Sequence, residues 1–293
     1  MNNWKSHLAL VAANFLYGIN YVIAKGIMPI YLNPLSLVFL RVIPSMILFW
    51  LLGLFIKTEK IEKKDYLYLL LAGFFGVFLN QFLFISGLNL SSPIDAAIIM
   101  TSNPIMVLIV AAIFLHESIS AMRLGGIVIG AFGALLLIIG EGFGGFAKDH
   151  MYGDTLILLN SVSFAFYMVF ARPLMQKYNA VHVLKWTFLF GGIMYFPFGV
   201  KPFLAVRWEI MPIHIIVAII FVIFGTTFLT YLLINYSLRN LKSTTVSIYI
   251  YIQPVIAAIT AIIAGADKLT WINISASLLV FAGVYMVSMV NAK

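Results

Sequence analysis

Polar side chains recur at helical spacing inside the apolar stretches of this chain. In the first stretch, Asn14, Tyr17, Gly18 and Tyr21 fall at i, i+3, i+4 and i+7, which places them on one face of a helix. Amides at such positions can hydrogen-bond the polar groups of a small molecule, and tyrosines give apolar walls with polar tips. The chemistry that this pattern predicts is non-covalent solute binding.

Comparable polar stripes occur in four later stretches. They comprise Asn80 and Gln81; Asn160, Ser163 and Tyr167; Thr227, Thr230, Tyr231 and Asn235; and Ser247, Tyr251 and Pro254. Any single one can be structural, because Ser and Thr often bond their own helix and Tyr often anchors a membrane interface. As a set they predict a wet central pathway. The predicted substrate-binding residues are Asn14, Tyr17, Tyr21, Arg41, Asn80, Gln81, Thr101, Pro104, Asn160, Tyr167, Thr230, Tyr231, Tyr251 and Pro254.

Two cations lie in or near these apolar stretches and need partners. Arg41 lies within the second stretch, and Lys25 lies near the end of the first. A charge at such a position is costly unless it snorkels to the interface, pairs or meets a ligand. Snorkelling suffices for Lys25. Arg41 either binds an anionic group such as a substrate carboxylate or bonds loop carbonyls, and Asp95 can partner either cation.

The residue patterns of enzymes and metal sites are missing from the sequence. The chain has no Cys, and its five His residues show no HExxH-like spacing. No GxxxxGK[ST] or GxSxG segment occurs, and the few acids in apolar stretches lie near their ends with no His at useful spacing. We therefore expect no catalytic residue, no metal ligand and no cofactor. The net charge of +8 falls mostly in short loops, so it indicates membrane topology rather than nucleic-acid binding.

The elements that must position these residues are membrane-spanning helices. The chain of 293 residues is 63% hydrophobic and 10% charged, against roughly 45–50% and about 25% for a soluble domain. In lipid every backbone group must be bonded within its own segment, and the stretches lack the alternation of a barrel strand. We expect an all-α integral membrane protein with ten transmembrane helices. The predicted spans are 7–28, 35–56, 66–88, 93–115, 122–140, 154–171, 183–200, 212–237, 243–265 and 270–290.

The sequence repeats itself at a shift of about 150 residues. Pro104 corresponds to Pro254, and Glu117 corresponds to Asp267. We place a first five-helix repeat at 1–140, a Gly-rich connecting loop at 141–152 and a second five-helix repeat at 153–293. An odd number of spans makes the second copy enter the membrane from the opposite side, so the repeats are inverted, as in many secondary transporters.

The two prolines admit two interpretations. Proline removes one helical hydrogen bond and frees the carbonyl four residues earlier, here that of Met100 or Ile250. In inverted halves, two such kinks near the midplane can face a shared cavity. Alternatively, they only bend their helices to fit the neighbours. Glu117 and Asp267 are expected to fix helix starts rather than to transfer protons.

The distribution of Lys and Arg predicts the orientation. With the N-terminus inside, the inner segments hold eleven such residues and the outer ends hold five, which favours both termini in the cytoplasm. The inner residues are Lys5, Lys57, Lys60, Lys63, Lys64, Arg123, Arg172, Lys177, Arg239, Lys242 and Lys293; the outer ones are Lys25, Lys148, Lys201, Arg207 and Lys268. We find no cleavable signal peptide and expect a multi-pass protein of the cell (inner) membrane.

Residues 91–137, SSPIDAAIIMTSNPIMVLIVAAIFLHESISAMRLGGIVIGAFGALLL, resemble the repeat of the EamA-type, ten-helix branch of the drug/metabolite transporter superfamily. The shared features are a small polar helix entry, a mid-helix proline, an acidic elbow and a Gly-punctuated closing helix. The second copy departs from this pattern, since Asp267 replaces the usual Glu and no Gly occurs near Ser275. The resemblance implies two five-helix halves around a central cavity that work by alternating access on small metabolites, often amino acids.

The residue patterns predict a secondary transporter for a small amphipathic metabolite, and the family resemblance implies that this is an amino acid or related compound, moved in efflux. Its partners would be the small-molecule substrate and the lipid bilayer, with no nucleic acid, and a proton or ion gradient or exchange would supply energy. Two alternatives stay open: a sugar or nucleotide-sugar carrier, which should have more cations in the cavity, and a non-transporting membrane scaffold or sensor. The sequence leaves the substrate, the coupling ion and the choice between monomer and homodimer open.

Overall fold

A computed structural model describes residues 4–57, 59–115, 120–140 and 147–289. Every regular element within these ranges is helical. Eight helical segments there are long and apolar enough to cross a membrane, and two further apolar helices are shorter. The prediction of an all-α protein with ten membrane-spanning segments is confirmed.

The described helices follow the predicted spans closely. The first half contains α1 Trp4–Ile27, α2 Pro34–Gly53, α3 Asp65–Gly73, α4 Asn80–Leu90, α5 Pro93–Met100, α6 Asn103–Leu115 and α7 Ala121–Gly140. The second half contains α8 Ala147–Lys177, α9 Ala180–Leu204, α10 Ile213–Ile220, α11 Thr230–Asn240, α12 Ser243–Ile248, α13 Ile252–Ile263 and α14 Trp271–Met289. The third, fourth, eighth and ninth spans are each built from two of these helices.

Equivalent caps start the second helix of each half. The side chain of Asn33 accepts a hydrogen bond from the Leu35 amide at 2.8 Å, and that of Asn179 accepts one from the Val181 amide at 3.0 Å. Each bond satisfies one of the amide donors that a helix start leaves without a partner. The two asparagines are 146 residues apart in the chain, so the repeat extends to local capping.

The fourth and ninth spans are interrupted near their middle. The fourth breaks between α5 and α6, where the amides of Thr101 and Ser102 each reach back only three residues, at 3.0 Å. In the ninth, a 3-10 turn at Tyr249–Tyr251 joins α12 to α13. Pro104 and Pro254 lie in the first turns of α6 and α13, where a missing amide donor costs little.

The third and eighth spans contain a feature that the sequence did not predict. A π-helical segment at Phe74–Leu79 joins α3 to α4, and another at Phe221–Leu229 joins α10 to α11. Such segments are rare in helices and occur frequently at functional sites, because they leave backbone carbonyls without their usual partner. Gly76 and Gly225, which correspond in the repeat, lie within them.

Helices of each half pack against helices of the other half. The first span, α1, packs mainly against α11 and α13 of the second half, and α8, the first span of the second half, packs against α4 and α6. The equivalent helices α2 and α9 pack on each other, as do α7 and α14. This reciprocal pattern is what a two-fold relation between the halves produces. All eight residues of α5 are buried, which places this helix at the centre of the bundle.

The structure bears on two further predictions, the bounds of the connecting loop and the roles of Glu117 and Asp267. Residues 147–152, placed in the connecting loop, belong to α8; the Gly-rich part of the segment ends at Gly145, and an acid in the first turn of α8, Asp149, favours a helix start. Residues 141–146 and the elbow that contains Glu117 lie outside the described residues. Asp267 accepts a bond from the Ile94 amide at 3.1 Å, so it does fix a helix start, that of α5 in the other half.

Candidate functional site

A cavity lies where the two halves meet, and we call it the central cavity. It encloses about 640 Å³ of atom-free space, counted together with its open mouth. Both halves contribute to its wall. The lining residues are Leu10, Asn14, Tyr17, Tyr21, Arg41, Asn80, Gln81, Phe84, Met100, Asn103, Asn160, Phe164, Tyr231, Ile234, Val246, Ile250 and Gln253.

Eight of the fourteen sequence-predicted residues are in this wall, and six are not. The eight are Asn14, Tyr17, Tyr21, Arg41, Asn80, Gln81, Asn160 and Tyr231. The other six are buried or half-buried elsewhere: Thr101 and Pro104 at the α5–α6 break, Tyr167 on α8, Thr230 at the start of α11, and Tyr251 and Pro254 around the start of α13.

The residues outside the wall have local roles. The Thr230 hydroxyl donates to the Thr226 carbonyl in its own helix at 2.7 Å. The Tyr167 hydroxyl donates to Asn235 at 2.7 Å, and its ring would be only 2.2 Å from a Cβ placed on Gly76. Tyr251 stacks edge-on against Phe281 of α14. The structure thus brings together the polar face of α1 with α4, α8 and α11, and leaves these three side chains outside the wall.

Arg41 is fully inside the protein, with 2% of its surface exposed. Its Nε donates to the Thr227 hydroxyl at 3.0 Å and its Nη2 to the Thr226 carbonyl at 3.5 Å, so the π-helical segment of the eighth span holds the guanidinium. The Phe84 ring lies 5.9 Å from the guanidinium carbon. Nη1 has no hydrogen-bond partner among the described residues. Arg41 is therefore anchored by two nitrogens and has a third available for a ligand.

A chain of amides and phenols closes one side of the cavity. Gln253 donates through Nε2 to Asn14 at 2.7 Å and accepts through Oε1 from the Tyr21 hydroxyl at 2.7 Å. Asn14 in turn donates to the Leu10 carbonyl at 2.8 Å. Because each amide is bonded at both ends, this side of the wall is polar but rigid, and it ties α1 to α13.

The opposite side is built on the π-helical segment of the third span. Tyr231 donates to the Gly76 carbonyl at 2.5 Å and accepts from Gln81 Nε2 at 3.0 Å. Asn160 donates to the Asn80 carbonyl at 2.7 Å. The Gly76 carbonyl of the π-helical segment and the Asn80 carbonyl just after it are thus bonded across the interface between the halves, which satisfies buried polar groups and fixes the side chains that face the cavity.

Several buried polar atoms in the wall have no hydrogen-bond partner among the described residues. They are Arg41 Nη1, Gln81 Oε1, Asn160 Oδ1 and both polar atoms of the Asn103 amide. A buried donor or acceptor left without a partner costs about 1–3 kcal/mol. Donors and acceptors of this kind, gathered around one cavity, are the groups that a bound polar solute can satisfy.

The charged groups in the wall of the central cavity determine which ions it can bind. Arg41 is the one ionisable group of Asp, Glu, Lys, Arg or His type among the described lining residues. An anionic group therefore finds a positive partner there, while a metal ion would find no carboxylate or imidazole ligand in this wall. Tyr and Phe rings complete it with apolar faces.

Sequence reasoning missed two polar wall residues that carried a readable signal. Asn103 and Gln253 each come directly before one of the paired prolines, at the same shift of 150 residues. Asn103 is 0% and Gln253 3% exposed. Since each proline lies in the first turn after a break in its span, the residue before it lies next to the break. The paired X-Pro positions, rather than the prolines, line the cavity.

Polar contacts connect the two halves at both ends of the bundle. Near the start of α1, the Ser237 hydroxyl donates to the Ser6 carbonyl at 2.9 Å, and His7 Nδ1 lies 2.5 Å from the Tyr249 hydroxyl. Near the end of α1, the Ile94 amide is bonded to Asp267. Lys25 does more than snorkel to the interface, because its ammonium donates to the carbonyls of Leu88, Asn89 and Ser91 at 2.7–3.0 Å, which caps the end of the third span.

Comparison with known proteins agrees with this architecture. A family model described as "EamA-like transporter family" matches residues 4–139 and 151–289. An uncharacterized transporter of Archaeoglobus fulgidus is 28% identical over 258 residues, which cover 88% of this chain and 89% of that protein. The uncharacterized transporter YyaM of Bacillus subtilis is 27% identical, covering 81% of this chain and 80% of its own. A protein of known crystal structure superposes with a TM-score of 0.68 over 99% of both chains at 16% identity, which shows a likeness of fold.

Proposed function

Because the chain belongs to the EamA-like transporter family, we propose that it carries a small metabolite with a carboxylate group, an amino acid or related compound, out of the cell. Membership of the family supports transport of a small molecule through a lipid bilayer. The substrate class, the direction and the placing of both termini in the cytoplasm of a cell (inner) membrane belong to the proposal.

The observation that carries the substrate class is Arg41. Its guanidinium is buried, its Nε and Nη2 donate to Thr227 and Thr226, and Nη1 has no hydrogen-bond partner among the described residues. A buried cation next to a cavity without a carboxylate favours an anionic ligand, and guanidinium binds carboxylates strongly. The amides of Asn103 and Gln81 offer acceptors for an ammonium or hydroxyl group of the same solute.

Transport would proceed by rocking of the halves about this cavity. The solute would sit between helices of both repeats, and hydrogen bonds between the halves connect them at each end of the bundle. Breaking the contacts at one end while keeping those at the other opens the cavity to one side at a time, which is the alternating access of inverted-repeat transporters. The energy would come from an ion or proton gradient or from exchange.

One cation in the wall argues against a nucleotide-sugar as the substrate. Two phosphates need several positive groups, and among the described lining residues Arg41 is the one Arg or Lys. The amide-rich wall is compatible with sugars, so neutral sugars belong in any substrate screen.

Counterflow in proteoliposomes tests the proposal. Vesicles loaded with an unlabelled solute should take up the same labelled solute from outside, saturably, when the solute is an amino acid or a related carboxylate. Protein-free vesicles and vesicles with the Asn103→Leu variant, which fills the cavity and removes its free amide, serve as controls. Saturable counterflow of neutral sugars with none of carboxylates would overturn the substrate class, and no counterflow of any solute would overturn transport of such metabolites.

A further inference from the structure

A second polar cluster lies at the end of the bundle where α1 finishes, away from the central cavity. It consists of Asp95 in the first turn of α5 and of His150 and Asp154 on successive turns of α8. His150 Nε2 is 3.5 Å from Asp95 Oδ2, and His150 Nδ1 is 3.4 Å from Asp154 Oδ2. This corrects the expectation that no acid in the spans pairs with a histidine at useful spacing, since His150 and Asp154 are four residues apart on one helix face.

Both carboxylates are shielded from water. Asp95 is 1% and Asp154 is 0% exposed, while His150 is half-buried. Asp95 accepts from Ser92 Oγ at 2.9 Å and from the amide of Asn273, and Asp154 accepts from Ser91 Oγ. The Oδ2 atom of Asp154 accepts no hydrogen bond from any described residue. That oxygen lies 3.4 Å from His150 Nδ1, so a ring N–H at this nitrogen is a donor within reach of it.

The arrangement distinguishes the two charge states of the histidine. A neutral imidazole carries one N–H and one lone pair, so it can donate to only one of two carboxylates and sets a lone pair against the other. A protonated imidazole donates to both. It also supplies a positive charge between two buried negative ones, where an unpaired charge is costly. Because each ring nitrogen of His150 lies near a different acid, a protonated imidazole can bridge the two carboxylates. One ligand atom from each of the three residues also lies within 4.8 Å of the others, so a bound metal ion is the alternative occupant.

Two other charged groups among the described residues lie at the edge of the cluster, Lys25 and Asp267. The Lys25 ammonium binds the Ser91 carbonyl, on the residue whose hydroxyl binds Asp154. Asp267 accepts from the Ile94 amide, next to Asp95. The first adds a positive charge and the second a negative one at the edge of the cluster, and neither takes the place of a donor between His150 and its two acids.

We propose that the Asp95–His150–Asp154 cluster is a proton-binding site that fastens the two halves at this end of the bundle. Asp95 belongs to the first half, while His150, Asp154 and Asn273 belong to the second, so the protonated imidazole bridges the halves. Binding of the proton therefore favours the conformation in which this end is closed, and opening of this end releases it. By linkage, the same coupling makes a proton gradient able to bias the opening. The coupling to transport rests on the proposed function, whereas the proton site does not.

The first test measures thermal stability of the purified protein against pH, with His150→Gln as the variant. Glutamine can donate one bond, like the neutral imidazole, but cannot carry the proton. The wild type should melt roughly 3 °C or more above the variant near pH 5, and the difference should shrink as the pH rises and the imidazole loses its proton. The exposed His214→Gln is the matched control and should follow the wild type. A second variant, Asp154→Asn, should reduce the pH dependence in the same way.

The second test uses proteoliposomes and separates the proton site from the transport proposal. With a transported carboxylate, an imposed pH gradient should drive accumulation in the wild type but not with His150→Gln, while counterflow at equal pH persists in both. A stability difference that does not vary with pH, or one that EDTA abolishes and Zn²⁺ alone restores, would overturn the proton site. Gradient-driven accumulation that is equal in the two proteins would overturn the coupling. If no solute shows counterflow, the proposed function fails while the stability test still decides the proton site.

Discussion

Replacing Arg41 by glutamine removes the positive charge of the central cavity and should cost affinity for a carboxylate far more than for its neutral analogue. In the structure Nε and Nη2 are occupied by Thr227 and Thr226, and Nη1 is the nitrogen left for a ligand. A hydrogen bond to a charged group is worth about 1.5–3 kcal/mol, and a neutral one about 0.5–1.5 kcal/mol. Since about 1.4 kcal/mol is a factor of ten, the half-saturating concentration should rise roughly 10- to 150-fold for the acid.

The assay compares an acid substrate with its primary amide. Counterflow of both is measured in proteoliposomes with the wild type and with Arg41→Gln, at the same protein density. The amide keeps the shape of the solute but cannot form a charge-assisted bond, so its half-saturating concentration should rise by no more than roughly tenfold. Thr227→Val is the matched control, because it removes the support of Nε and keeps the charge. It should weaken acid transport less than Arg41→Gln does.

One result would refute this reasoning. If Arg41→Gln weakens the acid and the amide equally and also lowers the thermal stability of the purified protein, the guanidinium holds the helices together and does not bind the solute. The hydrogen bonds from Arg41 to Thr226 and Thr227 are the contacts through which this side chain would hold the helices together. A loss of stability that matches Thr227→Val would point the same way.

Three further predictions concern packing, the polar wall and orientation. Gly283→Ala places a Cβ 2.5 Å from backbone atoms of α7 and should lower stability by about 1–3 kcal/mol, whereas Gly26→Ala, with nothing within 4 Å, should leave the melting temperature unchanged or raise it. Tyr231→Phe leaves a buried carbonyl and a buried amide without their hydroxyl partner and should cost about 1–3 kcal/mol, measured by thermal unfolding in detergent. Because the chain has no Cys, Lys268→Cys should react with an impermeant maleimide on intact cells, and Glu62→Cys should react only after the cells are opened.

Each of these predictions has a contradicting outcome. Equal melting temperatures for the two glycine variants would show that α7 and α14 do not pack as closely as described. For Tyr231→Phe, the exposed Tyr236→Phe is the control. An equal effect of both substitutions on the melting temperature would show that the Tyr231 hydroxyl does not stabilise the protein. Labelling of Glu62→Cys on intact cells would reverse the proposed orientation.

The sequence by itself determined the number of spans, the duplication and much of the cavity. Hydropathy fixes the spans because lipid admits only segments that bond their own backbone. The period of 3.6 residues placed Asn14, Tyr17 and Tyr21 on one face of α1, and all three line the cavity. The polar residues of α4 and α8, Gln81 and Asn160, were found for the same reason. In each case the relevant physics is local, so the pattern is readable along the chain.

Tertiary structure decided what depends on groups far apart in the chain. Tyr167 has the same pattern as Tyr21, yet it lies outside the wall, because its ring packs over Gly76 and its hydroxyl binds Asn235. The π-helical segments change the register of the third and eighth spans and thereby decide which carbonyls and side chains face inward. No residue type in the sequence predicts these segments. The pairing of Asp95 with His150 joins residues 55 positions apart, which only the packing of α5 against α8 could bring together. Spacing along one helix is a local quantity, whereas the choice of partner is set by how the two halves interlock.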